Sequence, residues 1–354
     1  MKKLSVLLFV FVVLVPAASA QQEVPVELQA ARQLKEIPES TGIARLAVII
    51  STPQKSGWRE TARKIHNQLK GMRLDIVMYL HYMDFSASPG IRNRYIDLLK
   101  SRRVENIFLI RVDEKRAKIL LAPRGEQMLI DLTAEAWYSD TPDINDGLYE
   151  LALTIKRMGY ETKNFLIPDA PEVFEDIPLI RATEFPSYPT QLKRLPVGVT
   201  RFPTLPIDSV SLTNDQIRAI ARYNSSQEEK NKKLEKYFSS YPYDFEMVEP
   251  MTDEEAYKAG FQFILKHLHT SGKTIKKLLN YDSPSIETDY ITVIPLPDGK
   301  RTMKTIPVES QVYKWYLKQT IANDAYLGRY WDADQDWQKA LDYFFTHMLN
   351  EFND

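Results

Sequence analysis

The chain contains no cysteine. Exported domains that cannot build a core of their own are usually stapled by disulfides. That staple is excluded, and so is any zinc site completed by thiolates. Folding must rest on apolar burial, which 354 residues at 44% apolar composition can supply, with enough chain for two domains. A charge excess is missing as well, since 46 basic residues stand against 47 acidic ones. Such a balance gives no electrostatic reason to expect nucleic acid or an anionic membrane surface as a partner.

Long hydrophobic runs are absent with one exception, Leu4 to Val15. Twelve helical residues rise only about 18 Å, well short of a hydrocarbon core of roughly 30 Å. Lys2 and Lys3 precede the run, Pro16 breaks it, and Ala18-Ser19-Ala20 has the small-x-small form that a signal peptidase reads. The expectation is a signal peptide over residues 1–20 and a mature protein that is periplasmic or extracellular. No cysteine follows to carry a lipid, so a lipoprotein is not expected, nor is a transmembrane segment in the mature chain.

Recognisable catalytic motifs are also missing. Ser271-Gly272-Lys273-Thr274 ends like a phosphate-binding loop, but His267 stands where the motif's first glycine belongs, and a helix is expected where the motif needs a strand. Asp332, Asp334 and Asp336 alternate like the start of a calcium loop, yet Trp337 and Tyr343 occupy its glycine and glutamate positions. They read better as capping carboxylates ahead of a helix at Trp337. The five histidines form no H-E-x-x-H, and neither a G-x-S-x-G elbow nor a G-x-G-x-x-G fingerprint occurs. No cofactor is expected.

What is present is a pattern of elements. Ala44–Ile50, Leu74–Leu80 and Asn106–Val112 are short, apolar and branched, as buried strands are. Between them, Trp58, Ala62, Ile65 and Leu69 recur at helical spacing, and Ser88-Pro89 opens a second helix. Lys118–Ala122 and Met128–Leu132 read as a hairpin, followed by a helix that Gly159 caps. Residues 21–165 are therefore expected to form an α/β domain, β-α-β-α-β with a closing hairpin and helix on a mixed sheet.

Eight of the 21 prolines fall between Phe165 and Ser211. Proline lacks the amide donor that helices and central strands require, so residues 166–210 are expected to be an extended strap. Its apolar side chains, among them Phe174, Ile180, Tyr188 and Phe202, predict that it lies ordered along the surface. Residues 211–354 read as a helix-rich α+β domain with one hairpin over Tyr290–Pro307, turning at Asp298-Gly299. Capping boxes start at Thr213 and Thr252, and Ser225 opens a charged helix. Further helices are expected near Phe261–Ile275, Gln311–Ile321 and Gln335–Phe352.

Ligands of parallel sheets bind outside the carboxyl ends of the strands. That rim places Ser51, Thr52, Lys55 and Ser56 together with Asp113 as candidate ligand-binding residues for a small anion. Tyr326, Tyr330 and Trp331 lie in a loop of an aromatic-rich region and are candidate partner-binding residues, expected to be exposed. The expected function is a non-enzymatic binding or scaffold protein that engages other envelope proteins. The alternative is a hydrolase of envelope glycans or peptides, using carboxylates from Asp113, Asp140 and Asp143 or from Asp332, Asp334 and Asp336.

Overall fold

A computed structural model describes residues 24–126, 128–159, 167–174, 182–281, 287–296 and 299–353, so the expected signal peptide lies outside it, as do Asp298 and Ile180. Mixed α/β structure fills the chain, with parallel and antiparallel strands in the same sheets and nine α-helices among the described residues. No helix among them is long and apolar enough to cross a membrane.

The first half runs α1 (Val26–Ala30), β1 (Arg32–Leu34), β2 (Arg45–Ser51), α2 (Trp58–Gly71), β3 (Asp75–His81), α3 (Tyr82–Phe85), α4 (Pro89–Ser101), β4 (Val104–Val112), β5 (Ala117–Pro123), β6 (Glu135–Thr141) and α5 (Ile144–Met158). Its sheet has the order β1-β6-β5-β4-β2-β3. Strand β2 pairs in parallel with β3 and β4, whereas β5 pairs antiparallel with both β4 and β6. Apolar side chains on both faces of β2 and β4 are fully buried, which explains their unbroken apolar runs. Ser88 accepts from the Ile91 amide as the N-cap of α4, and Gly159 ends α5 at φ 65°.

One expectation fails here. The hairpin partner of β5 is β6 rather than Met128–Leu132. Leu129 and Ile130 are buried, but the Asp131 carboxylate accepts from the Thr133 amide and hydroxyl and holds a turn there.

The second half runs β7 (Thr183–Phe185), β8 (Val197–Thr200), α6 (Asn214–Phe238), β9 (Phe245–Val248), α7 (Asp253–Lys258), β10 (Phe263–Ser271), α8 (Gly272–Leu278), β11 (Asp289–Pro295), β12 (Arg301–Pro307), β13 (Gln311–Gln319), β14 (Asp324–Tyr326) and α9 (Trp337–Asn353). Here the expected helices near Phe261 and Gln311 are replaced by β10 and β13, neighbours in a six-stranded sheet of order β7-β14-β13-β10-β8-β9. Both strands are covered on both faces, so neither shows the alternation of a half-exposed strand. In β13 even Lys314 is buried, paired with Asp332 at 2.6 Å. Helix α6 runs through Ser225 without a new start. The hairpin β11–β12 forms as expected, with Gly299 at φ 77° in its turn, as do both capping boxes.

Of the expected strap, residues 167–174 and 182–210 are described. Backbone bonds Tyr79 N–H to Glu172 O and Phe174 N–H to Tyr79 O lay it along the free edge of β3. Further on it supplies β7 and β8 to the second sheet. Between β8 and α6, Asn231 bonds both the N–H and the C=O of Phe202, and Asn224 does the same for Leu205. These two amides, two helical turns apart, supply polar partners beside Pro203 and Pro206, which have no amide hydrogen.

One apolar cluster joins the halves. It runs from Ala47, Met78 and Tyr95 of the first to Ile220, Leu268 and Tyr316 of the second. Two further clusters lie beneath the outer helices, one under α2 and α5 and the other under α6 and α9.

Candidate functional site

The carboxyl end of β2, expected to bind a ligand, is plugged by the second half. Lys55 and Asp84 are buried at 8% and 2% exposure. Lys55 Nζ lies 2.7 Å and 2.9 Å from the two Asp84 carboxylate oxygens and donates to Thr274 Oγ1 at 2.7 Å. The Thr270 and Thr274 hydroxyls donate to Asp84, and Ser271 donates to Thr274. Strand β10 therefore enters α8 directly through Ser271-Gly272-Lys273-Thr274. The strand that a phosphate loop requires is present, but the glycine at position 267 and the loop are not.

Beside this clasp, the Met83 amide donates to His81 Nδ1, which directs the Nε2 hydrogen to Thr52 Oγ1 at 3.0 Å. Burial, and then the charge of Lys55, lower the His81 pKa to about 3. Of the five rim candidates, Ser51, Thr52 and Lys55 lie in or beside this junction, and Ser56 is exposed. Asp113 instead accepts from the Lys115 and Arg116 amides of its own turn. A ligand at the rim would have to displace Thr274 from Lys55.

The other candidates are placed as follows. Asp140 pairs with Arg116, Asp332 with Lys314 and Asp334 with Lys304. The Asp336 carboxylate accepts from the Gln338 amide at the start of α9. Trp331, expected at the surface, is 8% exposed and meets Tyr281 and Tyr290 edge-on. Tyr326 and Tyr330 are half-buried; the first stacks on Phe185 and the second lies between His347 and Arg301.

A cleft of about 320 Å³ lies between the halves. One wall comes from α1 and the Tyr82–Arg92 segment, the other from Phe202, α6, β10 and β13. Its cationic side chains are Arg92, Arg222 and Lys230, and no carboxylate is among the described residues that line it. Glu27 stands just behind, accepting from the Tyr82 hydroxyl at 2.9 Å. Burial opposes the Arg92 charge, but Tyr82 and Glu27 outweigh it and hold the guanidinium pKa above its ordinary value.

His267 lines the cleft at 8% exposure, and its Nδ1 has no hydrogen-bond partner. Its ring lies 4.7 Å from those of Phe202 and Trp315. Burial first, and then Lys230, lower its pKa to about 3, so the ring is neutral at neutral pH. His269 is pushed down for the same reasons and stacks flat on Tyr313 at 3.7 Å.

Sequence reasoning missed this site because its residues come from elements far apart in the chain. One signal was available. Ala219, Arg222, Tyr223, Ser226, Gln227 and Lys230 follow the i, i+3, i+4, i+7, i+8, i+11 spacing of one helical face, and all six line the cleft. No protein-family model matches the chain, and no curated protein matches its sequence.

Proposed function

We propose that the chain is an exported, non-enzymatic binding protein of the cell envelope, with its ligand site in the cleft between two domains joined by the proline-rich strap. The observation that carries this reading is the cleft's lining. Arg92, Arg222 and Lys230 line it with no carboxylate among the described lining residues, in a volume at the small end of the roughly 300–1,000 Å³ usual for small-molecule sites. Such a lining favours an organic anion and offers no pair of carboxylates for acid–base hydrolysis. The export part rests on the N-terminal pattern Lys2 to Ala20. Tyr326 and Tyr330 remain proposed contacts for an envelope partner.

The test is a thermal-shift titration of the purified chain with a panel of carboxylate, phosphomonoester and sulfate compounds. A true ligand at 100 times its Kd adds about 2.7 kcal/mol of stability. The shift should vanish in the double variant Arg222→Ala, Lys230→Ala. A panel in which no anion raises Tm would refute the cleft reading, and turnover of any bound compound would refute the non-enzymatic one.

A further inference from the structure

A chain without cysteine cannot form a disulfide, but its second half holds another pair of side chains that can be joined covalently. Lys314, in the middle of β13, and Asp332, between β14 and α9, are 0% and 1% exposed. The lysine Nζ lies 2.6 Å from one carboxylate oxygen. We infer that these two side chains condense into an isopeptide bond, an amide between the Lys314 amine and the Asp332 carboxyl group. The bond closes residues 314–332 into a ring that contains β14, and it is independent of the cleft and its ligand. Such a ring restricts the unfolded chain as a disulfide does.

The geometry differs from that of an ordinary buried ion pair. A buried carboxylate that stays ionised collects hydrogen bonds, as Asp84 does from Lys55, Thr270 and Thr274. Neither oxygen of Asp332 has a hydrogen-bond partner among the described residues, although the Lys314 nitrogen touches one of them. The nitrogen therefore lies against the carboxyl group but off the direction that a hydrogen bond takes. Lys314 Nζ instead donates to the Leu327 carbonyl at 2.9 Å, which orients the amine. The Phe344 ring centre lies 5.6 Å from Nζ. Burial pushes the lysine pKa down and the aspartate pKa up, and each partner's charge opposes this only in part. Both directions favour the neutral amine and neutral acid from which an amide forms. The Nζ lone pair attacks Cγ, the Nζ–Cγ bond forms and the Cγ–OH bond breaks. The hydroxyl leaves with one amine hydrogen as water, so no oxidant or other co-reactant is consumed. Holding the groups in contact makes the condensation intramolecular, and the absence of water around them opposes hydrolysis.

Mass spectrometry of the purified full chain under denaturing conditions tests this. The chain should be lighter by one water than the residues it contains. Trypsin should fail to cut after Lys314 and should release residues 305–318 joined to residues 330–339 as one species. Lys314→Arg keeps the positive charge but has no primary amine. That variant should have the full mass of its sequence and release residues 330–339 alone. Full mass in the parent chain, with residues 305–314 and 330–339 recovered as separate peptides, would overturn the bond and leave a plain ion pair. A water loss that maps to other residues, or that persists in Lys314→Arg, would overturn it as well.

Discussion

Replacing Asp84 by Asn removes one charge from the clasp that joins the halves and leaves its shape intact. Lys55 is then an ammonium at 8% exposure with only neutral partners. At the 2.7 Å separation of the pair, Coulomb attraction is about 6 kcal/mol for an effective dielectric of 20. Most of that offsets desolvation, so the quantity to predict is the cost of orphaning one partner, typically about 3–5 kcal/mol. The Asn carbonyl still accepts from Lys55 and the threonines, which places Asp84→Asn near the low end, about 3 kcal/mol. Lys55→Met should cost a similar amount, because it strands a buried carboxylate that loses its cation and keeps the neutral Thr270 and Thr274 hydroxyls. The double variant removes both charges and should cost less than the sum of the singles by about 2 kcal/mol or more. Urea unfolding followed by tryptophan fluorescence measures all four proteins. Because one apolar cluster spans both halves, each should unfold in a single transition. Singles within 1 kcal/mol of the parent, or a strictly additive double, would refute the energetic role of the clasp. Two separated transitions would refute the shared core.

Two further outcomes follow from buried groups. His81 and His267 are held down to about pKa 3, whereas an unfolded histidine titrates near 6.5. Between those values the unfolded chain binds protons that the native one refuses. The stability from these rings is thus complete above pH 6.5 and falls as pH drops toward 3, with a slope of up to about 1.4 kcal/mol per pH unit for each ring. Urea midpoints between pH 7.5 and 4.5 should show this fall, and His81→Gln should flatten it; constant midpoints would contradict it. Gly328→Ala should destabilise by about 2–3 kcal/mol, because its new Cβ would lie 2.3 Å from the Tyr188 hydroxyl at a backbone φ of +77°. That hydroxyl is buried without a partner, so Tyr188→Phe should be nearly neutral alone and recover part of the loss in the pair, both read from thermal unfolding.

The first half was legible because its periodicities are clean. Strands β2, β3 and β4 are apolar on both faces, α2 carries one apolar stripe, and Ser88 and Gly159 mark helix ends. The second half misled for a definite reason. Phe261, Leu265, Leu268 and Ile275 fall by chance at helical spacing, while β10 is buried on both faces and shows no alternation. Lysines 314 and 318 fall within the expected helix Gln311–Ile321, yet both lie buried in a strand beside Asp332 and Asn323. Their partners are distant or follow a turn, so only tertiary structure shows that these charges are covered. The run of Tyr313, Trp315 and Tyr316 was the better guide, since aromatic residues favour strands.

The candidate site failed in the sequence for a different reason, and α6 shows it. Of its buried positions, Gln216, Gln227 and Asn231 are polar, so the stripe reads as weakly amphipathic and its charges as a solvated face. Each polar residue there has a specific task. Gln216 donates to the carbonyls of Ala30 and Leu132, and Asn231 holds the backbone of Phe202. The first two contacts tie α6 to the first half, and the last fixes a cleft ring. Polar groups at buried helical positions are costly unless they are satisfied. A buried polar stripe is therefore itself a sign that the helix faces backbone or ligand rather than a plain apolar core. Gln227, at 4% exposure, is the member of that stripe that lines the cleft.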